Sequence, residues 1–251
     1  MDQNVVLSVS DLNVYYKNRK KKLFEKSGKK QALFDVSFDM KEGEVLGIAG
    51  ESGCGKSTLA RTIVGINKDY TGTIYQKYGE PQMVFQDPYS SLNPAKTIGW
   101  LMEEPLKVDK NRKWTREERL ERVKEIMDRV ELPPEFINRY PSQLSGGQRQ
   151  RVCIGMALMK SPKLLIADEP VSALDVTIQA QIMELLEQLH KNLGISIIFI
   201  SHDLRVVYHM CDRVMIMKEG RMVEMEETDK LYRYPKEEYT KELLTAAGIR
   251  K

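Results

Sequence analysis

The segment GESGCGKST (50–58) fits G-x-x-x-x-G-K-[ST] at Gly50, Gly55, Lys56 and Ser57. The pattern suits phosphate. Gly50, Gly53 and Gly55 let the backbone fold tightly enough to aim several N–H groups inward, and a helix that follows adds its positive end. Lys56 supplies a point charge for β- and γ-phosphates, and the Ser57 hydroxyl can ligate Mg2+. Ser52, Cys54 and Thr58 complete the stretch. A second run, LLIADEP (164–170), is apolar and ends in two acids. A carboxylate at the end of such a strand, beside a phosphate turn, can hold a magnesium-water shell, which makes Asp168 the candidate. Glu169, one residue on, is placed to act on an attacking water as general base. A third run, QLSGGQRQR (143–151), puts a good helix cap, Ser145, before Gly146 and Gly147, which strip side chains from a first helical turn. That is itself an anion site. Residues 50–58 already serve one nucleotide, so this second element reads as completing a site on another copy or a partner.

These residues need strands and helices to carry them. LSVSDLNVYY partly alternates and ALFDVSFDM sets Leu33, Val36 and Phe38 against polar neighbours, both in the manner of strands. EVLGIAG (44–50) is a short buried strand, so strand, glycine-rich turn and helix STLARTIVG come in the order a phosphate loop requires. Residues 87–112 read as turn-rich, broken by Pro88, Pro94 and Pro105. TREERLERVKEIMDRVEL is an amphipathic helix. Thr115 and Glu118 have capping-box spacing, Leu120, Val123, Met127 and Val130 share a face, and Pro133-Pro134 ends it. A helix from Ser145 to about Lys160 follows, then a buried strand at 163–167. Next come a helix over 176–193 capped by Gly194, a third buried strand at 195–200, and a hairpin turning at Glu219-Gly220. Apolar strands alternating with helices predict an α/β fold with a mostly parallel core sheet. The expected organisation is one domain over 1–251. An antiparallel β subdomain occupies about 1–45, a helical insertion about 88–160, and a C-terminal hairpin and tail about 213–251.

Composition narrows the function classes. The 251 residues are 41% hydrophobic and 30% charged, an ordinary globular composition that can bury a core. No apolar run approaches a membrane span, and MDQNVVLSVS lacks the basic start and apolar core of a signal peptide. Three cysteines (54, 153 and 211) have neither CxxC nor zinc spacing, which suits a reducing cytoplasm. Residues 17–30 hold eight basic residues against one acid, a local +7. Against the chain's total of +3, the remaining residues therefore carry −4. The body is not a basic nucleic-acid binder, and no nucleic-acid partner is expected. The basic stretch reads as a hairpin loop, either solvated or touching an anionic membrane leaflet or an acidic partner segment.

Taken in order, the motifs resemble those of the ATP-binding subunits of ABC transporters. They are the phosphate loop 50–57 (Walker A), Gln86 in MVFQDP, LSGGQ at 144–148, the Walker B strand 164–168 with Glu169, SALD at 172–175, and His202 in SHD. The resemblance covers about residues 5–245. It implies the P-loop ABC ATPase fold and a head-to-tail dimer with a second ABC ATPase subunit. Two ATPs are sandwiched there between one subunit's Walker A and the other's Ser145, Gly146, Gly147 and Gln148. It further implies that Tyr16 stacks on adenine, with Tyr15 facing the other way by strand alternation. Gln86 touches Mg2+ and senses a membrane partner, Glu169 polarises water, His202 reaches the γ-phosphate, and Asp175 crosses the dimer interface. The implied place of work is the cytoplasmic face of the membrane, on two permease subunits supplied by an extracytoplasmic solute-binding protein.

QDPYSSLNPAKTIG, VTIQAQIMELL and YPKEEYTKELL resemble the ATPases of peptide and nickel importers, a group in which two different ATPases usually pair. Three features depart from the group. Residues 70–85 read as a short link. The chain stops at Lys251 without the cysteine-bearing tail of longer oligopeptide ATPases, which leans toward nickel or metallophore members. Met156 stands where relatives often have arginine. An exporter ATPase, or a soluble ABC ATPase acting on ribosomes or DNA, is the alternative reading. His190 and His209 read as ordinary packing or surface residues, and Met215, Met217, Met222 and Met225 as hairpin core.

Overall fold

The computed structural model describes residues 4–17, 28–172 and 174–249. In chain order the first elements are β1 (Val5–Lys17), β2 (Lys29–Lys41), β3 (Val45–Ala49), α1 (Lys56–Ile63), β4 (Tyr70–Gln76), β5 (Gln82–Val84), α2 (Pro88–Ser91) and α3 (Ile98–Lys107). They continue as α4 (Arg116–Arg129), α5 (Gly146–Leu158), β6 (Leu164–Asp168), α6 (Val176–Leu193) and β7 (Ser196–Ile200). The last are α7 (Leu204–Met210), β8 (Arg213–Lys218), β9 (Arg221–Glu227), α8 (Thr228–Arg233) and α9 (Glu238–Ala246). Two compact units result, Met1–Pro81 with Ser196–Lys251, and Gln82–Ile195. The fold is α/β, with an antiparallel N-terminal sheet and parallel core strands.

In the first unit an antiparallel sheet runs in the order β2-β1-β4. The alternation of β2 slips once. Leu12 pairs with Val36 but Val14 pairs with Leu33, and Asp35 sits at φ 49° between them. Asn13 clamps this bulge, donating to Asp35 Oδ1 at 2.8 Å and accepting the Asp35 N–H at 3.1 Å. The extra residue lets Leu33 and Val36, of opposite parity, both be buried. β4 lies in the stretch expected to be only a link. It is an edge strand in which only Ile74 and Gln76 are half-buried and the rest exposed, so it carries no two-residue hydrophobic signal. Its ladder with β1 makes it a strand. β3 pairs in parallel with β7 and with β8, and β9 closes antiparallel on β8. All residues of β3 and β7 are buried, as strands covered on both faces must be. The β8–β9 turn uses positive φ at both Glu219 (48°) and Gly220 (78°), the turn whose twist matches a two-residue hairpin. The tail beyond β9 folds into α8 and α9. The basic stretch falls largely at residues 18–27, outside the described residues; the strands flanking it pair Lys17 with Lys29.

In the second unit β5 pairs in parallel with β6. α4 starts with the full Thr115–Glu118 capping box and buries Val123, Ile126 and Met127. α6 spans Val176–Leu193 between the Asp175 cap and Gly194 at φ 60°. The proline-broken stretch differs from expectation: α2 and α3 occupy it, and Pro105 lies inside α3. A proline there costs about 3 kcal/mol. It falls near the end of a helix that buries Ile98, Leu101, Met102 and Leu106, each contributing about 1.5–3 kcal/mol. Burial wins. No helix among the described residues is long and apolar enough to cross a membrane.

Candidate functional site

In the first unit the chemistry sits where β3 gives way to α1. Gly50 has φ 148°, and a Cβ there would run into the Met217 carbonyl oxygen. Gly55, at φ 114°, would bring a Cβ to 2.7 Å from Leu33 Cδ2. Both positions therefore need glycine for conformation and for space. Gly55 is also the N-cap of α1, and no side chain caps that end. Lys56, only 4% exposed, donates its ammonium to the carbonyls of Gly50 (2.7 Å) and Glu51 (2.9 Å). The loop thus holds a desolvated cation beside the bare start of a helix, where an anion is favoured twice over. Ser52 is exposed, and Ser57 and Thr58 are half-buried. Cys54 is buried, and burial pushes its thiol up although Lys56 pulls the other way. It is a packing residue, not a nucleophile.

Tyr16, 40% exposed, leans on the same helix. Its hydroxyl donates to Thr58 Oγ1 at 3.3 Å and accepts from the Asn67 amide at 2.9 Å. Tyr15 has a different neighbour, with the Lys29 ammonium 5.9 Å from its ring centroid. His202 is exposed just after β7. Its two neighbours are structural: Ser201 Oγ accepts the Asp203 N–H at 3.0 Å, and Asp203 caps α7 by accepting from Arg205 N–H at 2.9 Å.

In the second unit β6 ends at Asp168, 2% exposed. Glu169 follows at φ 48°, a left-handed conformation that costs a non-glycine residue on the order of 1–2 kcal/mol. That turn aims the Glu169 carboxylate at Gln86, whose Nε2 donates to Glu169 Oε2 at 2.9 Å. From sequence these two residues have separate roles, and nothing across 83 positions signals that they touch. Asp87, next along, caps α2. The N–H of Tyr89 and the Ser90 hydroxyl hold its carboxyl below the usual range.

The start of α5 is built differently. Ser145 Oγ accepts the Gln148 N–H at 3.3 Å and Gln148 Oε1 accepts the Ser145 N–H at 3.0 Å, a closed capping box that occupies both side chains. A Cβ at Gly147 would lie 2.5 Å from Ile178 Cγ2, so this glycine lets α5 approach α6. Gly146 faces Leu174 and, more distantly, the Tyr89 hydroxyl. Asp175 caps α6 by accepting from Ile178 N–H at 3.0 Å. Nothing in the sequence pattern singles out Tyr89 or Arg149. The Arg149 guanidinium lies 4.1 Å from the Tyr89 ring centroid, and its Nε donates to Pro141 O at 2.7 Å. Tyr89 is nevertheless 60% exposed. Further along α5, Met156 lines a cleft of about 180 Å³ with Phe85, Pro105 and Cys153.

Other residues keep ordinary roles. His190 Nδ1 lies 2.7 Å from Ile195 O, and His209 sits edge-on to Tyr208. Met215 and Met217 are fully buried, whereas Met222 is an exposed member of the hairpin. Among the described residues no cluster of His, Cys, Asp and Glu forms a metal site.

Residues 33–172 match the family model described as ABC transporter. The chain is 45% identical to the oligopeptide transport ATP-binding protein OppF of Salmonella typhimurium, over 98% of this chain and 79% of the relative. It is 43% identical to the oligopeptide transport ATP-binding protein AppF of Bacillus subtilis (99% and 80% covered) and 44% identical to the dipeptide transport ATP-binding protein DppF of Haemophilus influenzae (96% and 77%). Among solved structures it resembles cbiO1 of Clostridium perfringens, part of the transporter complex cbiONQ, at a TM-score of 0.76 and 29% identity over 99% of this chain and 96% of that one. It also resembles an ATP-binding cassette in a dimeric post-hydrolysis state bound to ADP and Pi, at a TM-score of 0.75 and 30% identity over 88% and 98%.

Proposed function

Since the chain belongs to the ABC transporter ATPases, we propose that it is the ATP-hydrolysing motor of a peptide importer, docked on the cytoplasmic face of two permease subunits. The loop 50–57 carries the reading, because it combines a buried lysine, two space-limited glycines and an uncapped helix start. These residues fit a nucleotide triphosphate.

Each residue has a task derived from its surroundings. Lys56 leaves its two carbonyls for the phosphates, and the α1 amides face the same charge. Tyr16 offers an exposed ring to adenine while Thr58 and Asn67 fix its hydroxyl. Ser57, Asp168 and Gln86 are the residues that would hold Mg2+, with Asp168 a desolvated carboxylate at a strand end. When bound, Mg2+ supplies positive charge against that of the phosphate oxygens. Glu169 orients and deprotonates the attacking water, and Gln86 holds its carboxylate until then. His202 contributes a hydrogen bond at the γ-phosphate. Ser145, Gly146, Gly147, Gln148 and Asp175 act toward a second ABC ATPase subunit, in the head-to-tail dimer. The subdivision of the chain into a β subdomain, a helical insertion and a C-terminal hairpin and tail serves this division of labour.

The names of the similar transport proteins favour peptide as cargo over nickel or a metallophore. Glu169→Gln is expected to keep ATP binding and lower turnover by about 10²–10⁴-fold, the usual contribution of a general base. Full turnover in that variant rejects the assignment. Competing uptake of dipeptides, oligopeptides and a nickel chelate by a deletion strain identifies the cargo, and uptake of the chelate alone overturns the peptide reading.

A further inference from the structure

The C-terminal segment YPKEEYTKELL (234–244) has no part in the nucleotide chemistry above, yet it is anchored tightly within the first unit. Glu224 of β9 is a buried carboxylate that accepts two backbone N–H groups where the chain enters α9. These are from Lys236 (2.9 Å) and Glu237 (3.2 Å). α9 then turns Tyr239, Thr240 and Leu244 inward.

Tyr239 is 8% exposed, and the Lys218 ammonium lies 4.2 Å from its ring centroid. Lys218 leads directly to the nucleotide loop. The preceding residue, Met217, presents the carbonyl that excludes a side chain at Gly50. Two residues beyond Lys218, Gly220 donates its N–H to Cys54 O at 2.8 Å. The β8–β9 turn and α9 therefore form a wall behind residues 50–54.

At the end of the Tyr239 ring, the hydroxyl is buried and completes no well-formed hydrogen bond among the described residues, although the Glu51 backbone amide lies beside it. Buried polar groups are rarely left so. Its surroundings are the loop itself. Burial pushes this phenol up, the Glu51 backbone amide opposes that, and Glu51, Cys54 and Glu219 are its charged or ionisable neighbours. The group stays a neutral hydroxyl that can accept and donate. Glu51 is also one of the two residues whose carbonyls hold Lys56. When Lys56 turns to phosphate, the backbone at Glu51 loses that contact and must resettle.

We propose that Tyr239 is a positioning residue of the nucleotide loop, its buried hydroxyl closing fully onto the Glu51 backbone amide beside it when phosphate is bound, so that the C-terminal helix sets how firmly residues 50–57 hold nucleotide. This rests on the reading of the loop as the ATP site.

The test compares wild-type protein with Tyr239→Phe and Thr240→Val. Thr240 is the control, because its hydroxyl is also buried without a partner among the described residues but one position further along α9. Affinity is measured with a fluorescent ADP analogue and Mg2+, together with melting temperature and steady-state ATPase kinetics. Tyr239→Phe keeps the ring over Lys218 and is expected to bind nucleotide about 3- to 10-fold more weakly. KM should rise while kcat stays within about twofold, the signature of lost uniform binding. Thr240→Val is expected to bind as wild type does. Equal affinity of Tyr239→Phe and wild type, or equal weakening by both substitutions, overturns the proposal. Failure of the wild-type protein to bind nucleotide overturns instead the reading of the loop on which it rests.

Discussion

Two helices of this protein begin with glycines and a small polar residue, and they are built on opposite principles. At α1 the glycines of residues 50–55 adopt positive φ, Gly55 caps nothing with a side chain, and the buried Lys56 supplies the local charge. At α5 Gly146 and Gly147 are ordinary helical residues, and Ser145 and Gln148 close a capping box. The first start is left open for an anion. The second has the N–H groups of Ser145 and Gln148 closed by each other's side chains, and its Gly147 also admits Ile178 of α6. The same composition therefore makes a loop of positive-φ glycines in one place and a helical first turn with a close helix crossing in the other, and backbone conformation separates them.

Substitutions at the glycines test that contrast most strongly. Gly50→Ala places a methyl against a backbone oxygen at a φ that alanine resists. The strain alone, about 1–3 kcal/mol, weakens nucleotide binding roughly 5- to 150-fold. No side-chain change at Met217 should rescue it, since the contact is with the main chain. Gly147→Ala instead meets the Ile178 side chain and should cost about 1–3 kcal/mol of stability by overpacking. Ile178→Ala in the same molecule should restore most of it, which a double-mutant cycle by denaturant unfolding measures. Rescue of Gly50→Ala, or failure to rescue Gly147→Ala, would break the comparison.

The smallest effect concerns pH. The Asp87 carboxyl is held below its ordinary value by the Tyr89 N–H and the Ser90 hydroxyl. A carboxyl depressed in the folded state contributes stability that is present above the unfolded value of 3.8 and is lost as pH falls through the lower folded value. Asp87→Asn should accordingly lower the melting temperature slightly at neutral pH, and the difference should vanish in acid. A difference that persists in acid after the folded-state carboxyl is protonated would show that the cap does not depend on charge.

The strongly patterned elements were legible in advance. The all-buried β3, β6 and β7 appear as short apolar runs, and α4 and α6 carry both a hydrophobic stripe and recognisable caps. The elements that escaped have weak local signals. β4 exists because β1 offers it a ladder, although its own residues are nearly all exposed. α3 survives Pro105 because four apolar side chains are buried along it. The tail helices α8 and α9 escaped too, since their inward residues have meaning only against β9 and α7. Within the candidate site, residue types pointed to the loop, the two acids and the capping serine. They did not disclose that Gln86 holds Glu169, that Gly147 belongs to a packing contact, or that Tyr239 backs the loop.

The sequence by itself determined the family, the phosphate loop and the order of the strongly patterned strands and helices. These depend on contiguous residues whose chemistry acts over one turn or one strand. Tertiary structure alone decided which glycine meets a main-chain oxygen and which one meets a neighbouring helix, and which side chain closes on which carboxylate. Those outcomes rest on van der Waals distances and hydrogen bonds between segments far apart in the chain, which no local pattern encodes.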